Sequence, residues 1–546
     1  MGAEAERGRR VACGLRAVLR ELPDGYIAGV EERDFDLIVI GSGPSGQKAA
    51  IQAAKLGRSV AVIERRERVG GVSIHTGTVP SKTLREAVLE LLKRRNIELM
   101  TSGGPTEEWE VVGATYLRDR AARVVAAEAT VVRDQFRRNR VTLLYGEASF
   151  VDPHTIEVRD ARASAQHYTA DHVVIAVGTT PSRPPSVPFD GSHVLDSDDI
   201  LEIHARVPRT MTVVGAGVVG VEYASIFAAL GTRVTLVDQR PGLLSFADAE
   251  IAEALQYLLR RRGVTFRFGE AVTEVTRRGD LVLTTLASGK RVPSDMVLYA
   301  IGRQGVTDGL QVDRAGLNTD KRGRIQADAC GRTAVRHIYA VGDVAGGMGL
   351  AATAFEQGRV AGLLTSGQAV DPMPELVPTG VYAIPELAMV GRTEEQLTEA
   401  AVPYVAGVAR WNELARGLIS GDEDGMLKLL VSTDDRALLG VHVLGTGATD
   451  LVHIGQALLG RPAALDFLVS AVFNYPTFAE SYKVAALDAA NRMRVLGMVD
   501  ATEEAAATPV PSADAPRFTR AKEDESASDA ATGCGSSPAP TTTASG

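Results

Sequence analysis

The sequence predicts an α/β protein in which one strand–loop–helix–strand unit occurs twice. Glycine loops with the spacing GxGxxG stand at residues 41–46 and 215–220, each directly after an apolar run typical of a buried strand. In both copies an alanine-rich, helix-like stretch follows, and then a second strand that ends on an acid. Glu64 and Asp238 are these acids, and each lies at the same distance beyond the third glycine of its loop.

The length and composition limit the function further. A chain of 546 residues is too long for one hydrophobic core and predicts several domains. The formal net charge of −9 argues against nucleic-acid binding, which depends on cationic neutralisation of phosphates. The sequence has no apolar run of membrane-spanning length and no secretory signal, so we expect a cytoplasmic protein that binds no membrane.

The cysteines exclude two kinds of site. Cys13, Cys330 and Cys534 lie far apart, and no two of them form a CxxC or CxxxxC pair. The sequence therefore predicts neither a dithiol active site nor a zinc site, and we expect no metal.

The two ends of the chain differ from its middle. Residues 1–33 read as an extension in which Val11–Leu22 would form a short amphipathic helix. Residues 499–546 are rich in Ala, Thr, Ser, Pro and Gly and have almost no large apolar side chain. Such a segment cannot offset its ordering entropy, so we expect a disordered tail.

The glycine loops predict dinucleotide binding. A GxGxxG loop between a strand and a helix lets backbone N–H groups face a pyrophosphate at the positive end of the helix. The acid at the end of the second strand accepts hydrogen bonds from the adenosine ribose. Because strand, loop, helix and acid recur together, we expect two bound dinucleotides.

A third glycine-bearing strand, Ile338–Asp343, precedes a small-residue segment, Ala345–Ala354, which should start a helix. With both loops and the motifs VGG (69–71), PSK (80–82), VIAVGT (174–179, preceded by Val173) and AVGD (340–343), the chain resembles the glutathione reductase and dihydrolipoamide dehydrogenase flavoprotein superfamily from about Asp34 to Arg494. The resemblance implies two Rossmann-like domains and a C-terminal α+β dimerisation domain.

The resemblance assigns the first loop to FAD, with Glu64 on the adenosine ribose and Asp343 on the ribityl chain. The residues that it implies for FAD are Gly41, Gly43, Gly46, Glu64, Arg65, Gly71, Ser73, Lys82, Ala148, Asp343 and Ala351.

The second loop then takes NAD or NADP, through Gly215, Gly217, Gly220, Asp238, Arg240 and Gly302. Asp238 favours a ribose without a phosphate, whereas Arg240 is placed to pair with a 2′-phosphate. Both nucleotides are therefore expected to use one loop.

Candidate catalytic residues also follow from the resemblance. Lys82 and Glu222 correspond to the family's ion pair beside the flavin N5, where a buried cation would favour the anionic reduced flavin. A structural ion pair between domains is the alternative. Thr78 and Glu480 stand at positions that carry the thiol chemistry in the family's reductases.

That thiol chemistry is missing from this chain. The family's redox cysteines fall on Ser73 and Thr78, and neither side chain can form a disulfide. Tyr475 stands where the reductases have a histidine, so only Glu480 remains of their acid–base dyad. Since both nucleotide loops are intact, we expect the flavin to pass hydride to an acceptor other than a disulfide.

The motifs HTGTVPSK (75–82), LGVH (439–442), LVHIGQ (451–456) and FNYPT (473–477) narrow the resemblance to the Si-specific pyridine nucleotide transhydrogenases. This implies the reaction NADPH + NAD⁺ ⇌ NADP⁺ + NADH by a ping-pong route. The alternatives are a diaphorase that reduces quinones or oxygen, and a non-catalytic FAD- and NAD(P)-binding redox sensor.

The expected domain order follows from the same resemblance. We expect an FAD domain at 34–200 with a return segment at 311–370, a nicotinamide-nucleotide domain at 201–310, and a dimerisation domain at 371–498. In the superfamily the last of these completes the partner's active site, so we expect a homodimer or a larger homo-oligomer.

Overall fold

The computed structural model describes residues 33–102, 108–202, 207–371, 373–374 and 376–497. The expected helix over Val11–Leu22, the tail at 499–546, Cys13 and Cys534 lie outside these residues, as does nearly all of the N-terminal extension. No helix in the described part of the chain combines the length and the apolarity that crossing a bilayer requires.

The described chain contains twelve α-helices and 22 strands. The helices are α1 Pro44–Lys55, α2 Gly71–His75, α3 Thr78–Ser102, α4 Glu108–Arg138, α5 Val218–Ala229, α6 Ala249–Arg261, α7 Ala351–Leu364, α8 Glu394–Glu399, α9 Ala415–Ser420, α10 Ala448–Leu458, α11 Ala464–Ser470 and α12 Ser481–Val495. The strands are β1 Phe35–Ile40, β2 Val60–Glu64, β3 Thr142–Tyr145, β4 Glu147–Asp152, β5 Thr155–Arg159, β6 Ala165–Ile175, β7 Thr179–Pro181, β8 Val194–Asp196, β9 Thr210–Val214, β10 Arg233–Asp238, β11 Thr265–Phe268, β12 Val272–Arg278, β13 Leu281–Leu286, β14 Arg291–Ser294, β15 Met296–Tyr299, β16 Arg303–Gly305, β17 Ile338–Ala340, β18 Thr379–Val381, β19 Leu387–Gly391, β20 Tyr404–Arg410, β21 Met426–Ser432 and β22 Leu438–Leu444.

The two glycine loops follow parallel strands of two sheets. The first sheet has the order β3–β2–β1–β6–β5–β4, in which β3, β2, β1 and β6 are parallel and β5 and β4 antiparallel. Strand β17 also pairs with β6, so the chain returns to this sheet late. The second has the order β11–β10–β9–β15–β8. Strands β1 and β9 are apolar runs whose last residues are buried, as parallel strands covered on both faces require. The predicted α/β class is confirmed.

The duplication is repeated in the geometry of the two units. Helices α1 and α5 each have 12 residues and begin directly after the middle glycine of their loops. Strands β2 and β10 end on Glu64 and Asp238, as the sequence predicts. Since ligands of open parallel sheets bind beyond the carboxyl ends of the strands, both loops lie where a dinucleotide is expected.

The helix expected within Ala345–Ala354 begins near the end of that segment, at Ala351. Gly346, Gly347 and Gly349 have φ values of +87°, +90° and +63°, which an α-helix cannot contain. A single 3-10 turn at residues 342–345 precedes them.

The C-terminal region is an antiparallel sheet, β18–β19–β22–β21–β20, with α10 and α12 packed against it. Lys428 of β21 reaches the second nucleotide region, where its Nζ lies 2.8 Å from Asp248 and 3.0 Å from Glu250 and also contacts Glu394. Burial opposes the charge of Lys428, but these carboxylates raise its pKa. The ammonium occupies the centre of the acidic group, which is therefore a structural ion cluster between the two regions. The domain boundaries given above stay predictions.

Candidate functional site

Only glycine fits at the ends of the first loop. A Cβ at Gly41, whose φ is +105°, would lie 2.5 Å from the Ala176 carbonyl oxygen, and one at Gly46 would lie 1.9 Å from the carbonyl oxygen of Gly41. Gly43 differs, because the nearest atom to its added Cβ is the Gly71 Cα at 3.9 Å. The middle of the loop therefore faces open space, where a ligand can approach the backbone closely.

The second loop repeats this arrangement. A Cβ at Gly215 would meet the Ala300 carbonyl oxygen at 2.4 Å, and one at Gly220 would meet the Gly215 oxygen at 1.8 Å. At Gly217 and at neighbouring Gly302 an added Cβ meets no atom within 4 Å. The outer glycines are needed for packing, and the middle one leaves room for a ligand.

Both helices that follow the loops begin without a side-chain cap. Gly43 and Gly217 are the residues before α1 and α5, so no side chain accepts from the first backbone N–H groups. These groups and the positive end of each helix dipole favour a phosphate. The two loops therefore fit the pyrophosphates of FAD and of a nicotinamide dinucleotide.

A Gly217→Val substitution tests the second loop. We expect the KM for nicotinamide nucleotides to rise about tenfold or more, because the side chain would occupy the pyrophosphate space. The backbone at Gly217 (φ −79°, ψ −175°) suits valine, so FAD content and melting temperature should change little. Gly309→Val is the matched control, since an added Cβ there also meets no atom within 4 Å. An unchanged KM would place the nucleotide elsewhere.

Glu64 is tied to the first loop through hydrogen bonds. Its Oε2 accepts from the Ser42 backbone N–H at 3.1 Å and from the Ser42 hydroxyl at 2.5 Å, and its Oε1 accepts from the Arg66 N–H at 3.0 Å. These bonds fix the buried carboxylate at the end of β2, where a ribose would lie.

Asp238 is held in the corresponding way. Its Oδ2 accepts from the Ala216 N–H at 2.6 Å, and its Oδ1 accepts from the Arg240 N–H at 2.8 Å. The second copy adds a contact that the first lacks. The Arg240 guanidinium donates to both carboxylate oxygens, from Nε at 3.0 Å and from an Nη at 2.7 Å. Burial would raise the pKa of Asp238, but the bonds from Arg240 and Ala216 lower it.

Lys82 and Glu222 form the ion pair that the sequence predicts. The Lys82 Nζ lies 2.8 Å and 3.0 Å from the two carboxylate oxygens, although 140 residues separate the partners. Glu222 is buried in α5, whereas the Lys82 side chain, in the first turns of α3, is 25% exposed. The pair therefore joins the region of the first loop to that of the second, and the Lys82 side chain is partly exposed.

The positions of the missing thiols lie just before Lys82. Ser73 is in α2, with its Oγ 3.5 Å from the Gly70 carbonyl oxygen, and Thr78 is the exposed first residue of α3. Cys330 is the one cysteine among the described residues, and it is free. Neither Ser73 nor Thr78 has a thiol partner in this part of the chain.

Asp343 and the residue before it take part in several hydrogen bonds. The Thr179 hydroxyl donates to its carboxylate at 3.2 Å, and Arg303 donates to that hydroxyl at 2.9 Å. The adjacent Gly342 N–H donates to the Gln357 side chain at 2.8 Å. These bonds place the Asp343 turn in front of α7, whose first residue is Ala351. Arg65 is exposed after β2, and Ala148 lies in β4 opposite Val158.

Glu480 has an unusual environment within the described chain. Its Oε2 is buried and has no hydrogen-bond partner among the described residues. Nearby in sequence, Tyr475 is 66% exposed and Val472 is 94% exposed. Burying a carboxylate oxygen without a hydrogen-bond partner costs free energy.

Several contact residues carry no motif that sequence reasoning could have used. Ser42, Gln357 and Arg303 support the acids, and Tyr382 contacts both members of the ion pair. Ser42 alone had a signal, since it lies inside the first loop. The contacts of Arg303 with Thr179 and of Tyr382 with Glu222 join residues more than 100 positions apart in the chain.

Comparison with known families gives two matches that cover most of the described chain. Residues 35–358 match the pyridine nucleotide-disulphide oxidoreductase model, and residues 377–486 match the dimerisation domain of the same name.

Two similar curated relatives are both named soluble pyridine nucleotide transhydrogenase. A soluble pyridine nucleotide transhydrogenase of Mycobacterium tuberculosis is 54% identical over 465 residues, which cover 85% of this chain and 99% of the relative. That of Photobacterium profundum is 42% identical and covers 84% and 98%. Among solved structures, LpdA from Mycobacterium tuberculosis has a TM-score of 0.76 at 27% identity, covering 83% of this chain and 99% of its own. The HOCl-induced flavoprotein disulfide reductase RclA from Escherichia coli has a TM-score of 0.73 at 25% identity, covering 83% and 99%.

Proposed function

The chain belongs to the pyridine nucleotide-disulphide oxidoreductase family, and from this premise we propose that it is an FAD-dependent transhydrogenase that interconverts NADPH + NAD⁺ and NADP⁺ + NADH. The family predicted from the motifs is thereby confirmed. The observation that carries the activity is the 54% identity to a named transhydrogenase over nearly the whole of that relative. The absence of the redox cysteines in the sequence agrees with it, since hydride exchange between nicotinamides needs no disulfide.

The site residues follow from the two loops. The first loop, with Glu64 and Asp343, holds FAD in this proposal, and the second, with Asp238 and Arg240, holds NAD or NADP. When bound, FAD supplies the hydride carrier between the two nicotinamides. The protein aligns the rings and provides the Lys82 charge, which Glu222 keeps in place at 2.8 Å. Ser73 and Thr78 leave only small hydroxyl side chains where the reductases have sulfur.

A second copy of the chain is part of the proposed enzyme. The match to a dimerisation domain, the exposed apolar Val472 and the buried Glu480 Oε2, which has no partner among the described residues, support a homodimer. In it Glu480 of each chain would find a partner in the other subunit. The cytoplasmic location and the absence of nucleic-acid and membrane partners stay predictions.

Anaerobic spectroscopy of the purified protein tests the activity. We expect NADPH to bleach the visible absorbance of the oxidised FAD, and NAD⁺ or a thionicotinamide analogue to restore it. Ubiquinone is the comparison acceptor. Recovery with the quinone but not with NAD⁺ would replace the proposal with a diaphorase. A flavin that NADPH and NADH leave oxidised would replace it with a redox sensor.

A further inference from the structure

The segment that follows β18 enters the space between the helices of the two nucleotide regions. The Tyr382 N–H donates to Glu222 Oε1 at 2.9 Å, and the Ile384 N–H donates to the Ser225 hydroxyl at 3.0 Å. Glu222 and Ser225 are one turn apart on α5, so the segment lies along this helix. One carboxylate oxygen of the candidate catalytic pair is therefore held by a backbone group of the C-terminal region.

Two arginines, one on α3 and one directly after α6, hold the same segment. Arg85 of α3 donates from Nε to the Ala383 carbonyl at 2.9 Å and pairs with Glu386 at 2.9 Å. Arg262, directly after α6, donates to the Ile384 carbonyl. Arg85 is buried and its partners are charged or backbone groups, so this contact is rigid. Tyr382 is therefore held by α5 through its own backbone and by the two arginines through the residues that follow it.

The Tyr382 side chain contacts the other member of the pair. The Lys82 Nζ lies 4.9 Å from the centroid of the Tyr382 ring, within the range of a cation–π interaction. A lysine has a flexible stem, and the ammonium of Lys82 donates to Glu222 and, at 3.4 Å, to the Ser81 hydroxyl. The ring supplies a further contact, which restricts the position of the ammonium more closely.

We propose that Tyr382 is a positioning residue for hydride transfer, which acts through Lys82 and Glu222. Its backbone N–H orients the carboxylate and its aromatic face holds the ammonium, so the C-terminal region sets the geometry of a pair that belongs to the two nucleotide regions. The inference rests on the proposed function, because it assumes that Lys82 faces the flavin. It adds a residue that lies outside the motifs named in the sequence analysis.

Tyr382→Leu tests this role, because leucine keeps the backbone N–H and removes the aromatic face. We expect the rate of FAD reduction by NADPH to fall about fivefold to tenfold, which corresponds to one cation–π contact, with KM nearly unchanged. The midpoint potential of the bound flavin, measured by dye equilibration, should become more negative as the ammonium becomes mobile. Tyr382→Phe keeps the ring and should recover most of both losses. Tyr382→Met is the second variant if the leucine protein loses FAD.

Two outcomes would overturn the proposal: an unchanged potential in both the leucine and methionine variants, or a phenylalanine variant as impaired as they are. In a Lys82→Met background the Tyr382 substitution should have no further effect on the potential, because its target is gone. The potential is measured without a second nucleotide. If the wild-type protein does not reduce NAD⁺, but Tyr382→Leu still shifts the midpoint potential of the flavin, the result contradicts the proposed reaction and not the role of Tyr382.

Discussion

Lys82→Met is expected to slow the reduction of bound FAD by NADPH by about 100-fold to 1000-fold, the usual effect of removing one preorganised electrostatic group. The ammonium lies 2.8 Å from Glu222 and is the charged group that the proposed site offers to the flavin. Stopped-flow absorbance under anaerobic conditions measures the rate, and the ratio of FAD to protein shows whether the cofactor still binds.

Lys48→Met is the matched control for Lys82→Met. Lys48 lies on α1 with its Nζ 5.3 Å from the Phe355 ring, so the substitution also removes a lysine stacked on an aromatic side chain. Glu222→Gln should give a smaller loss than Lys82→Met, because the ammonium remains but loses its counter-charge. Similar losses in the Lys48 and Lys82 variants would mean that the pair between Lys82 and Glu222 is only structural.

Arg240→Met is expected to reduce kcat/KM for NADPH by about 10-fold to 100-fold, the value of charge-assisted bonds to a phosphate. The value for NADH should stay the same or rise, because Arg240 donates to both oxygens of Asp238 and so competes with a ribose for them. For NADPH to bind, the guanidinium must turn from Asp238 to the 2′-phosphate. Its side chain is 44% exposed, which leaves room for this movement.

Steady-state kinetics with both nucleotides measure the effect of Arg240→Met. Arg233→Met is the control, since Arg233 is an exposed arginine at the start of β10, the strand that Arg240 follows. Equal losses with NADPH and NADH would show that Arg240 supports the fold of the loop and does not read the phosphate.

The local parts of the site were predictable from the sequence. Gly41 to Glu64, and Gly215 to Asp238, are each a short stretch in which strand, turn and helix are fixed by neighbouring residues. The structure accordingly places both acids at the ends of their strands. The sequence predicted the start of α7 only to within the segment Ala345–Ala354. The glycines before Ala351 do not by their identity distinguish a helix from a loop, because glycine adopts either conformation.

The sequence by itself determined the duplicated α/β fold, the loops and the absence of a redox disulfide, because these depend on short-range patterns and on residue identity. Only the tertiary structure decided which side chains meet. The contacts of Lys82 with Glu222, of Tyr382 with both, and of Lys428 with Asp248 join elements 140 residues or more apart. Such contacts arise from the packing of separate regions, and the spacing along the chain does not encode them.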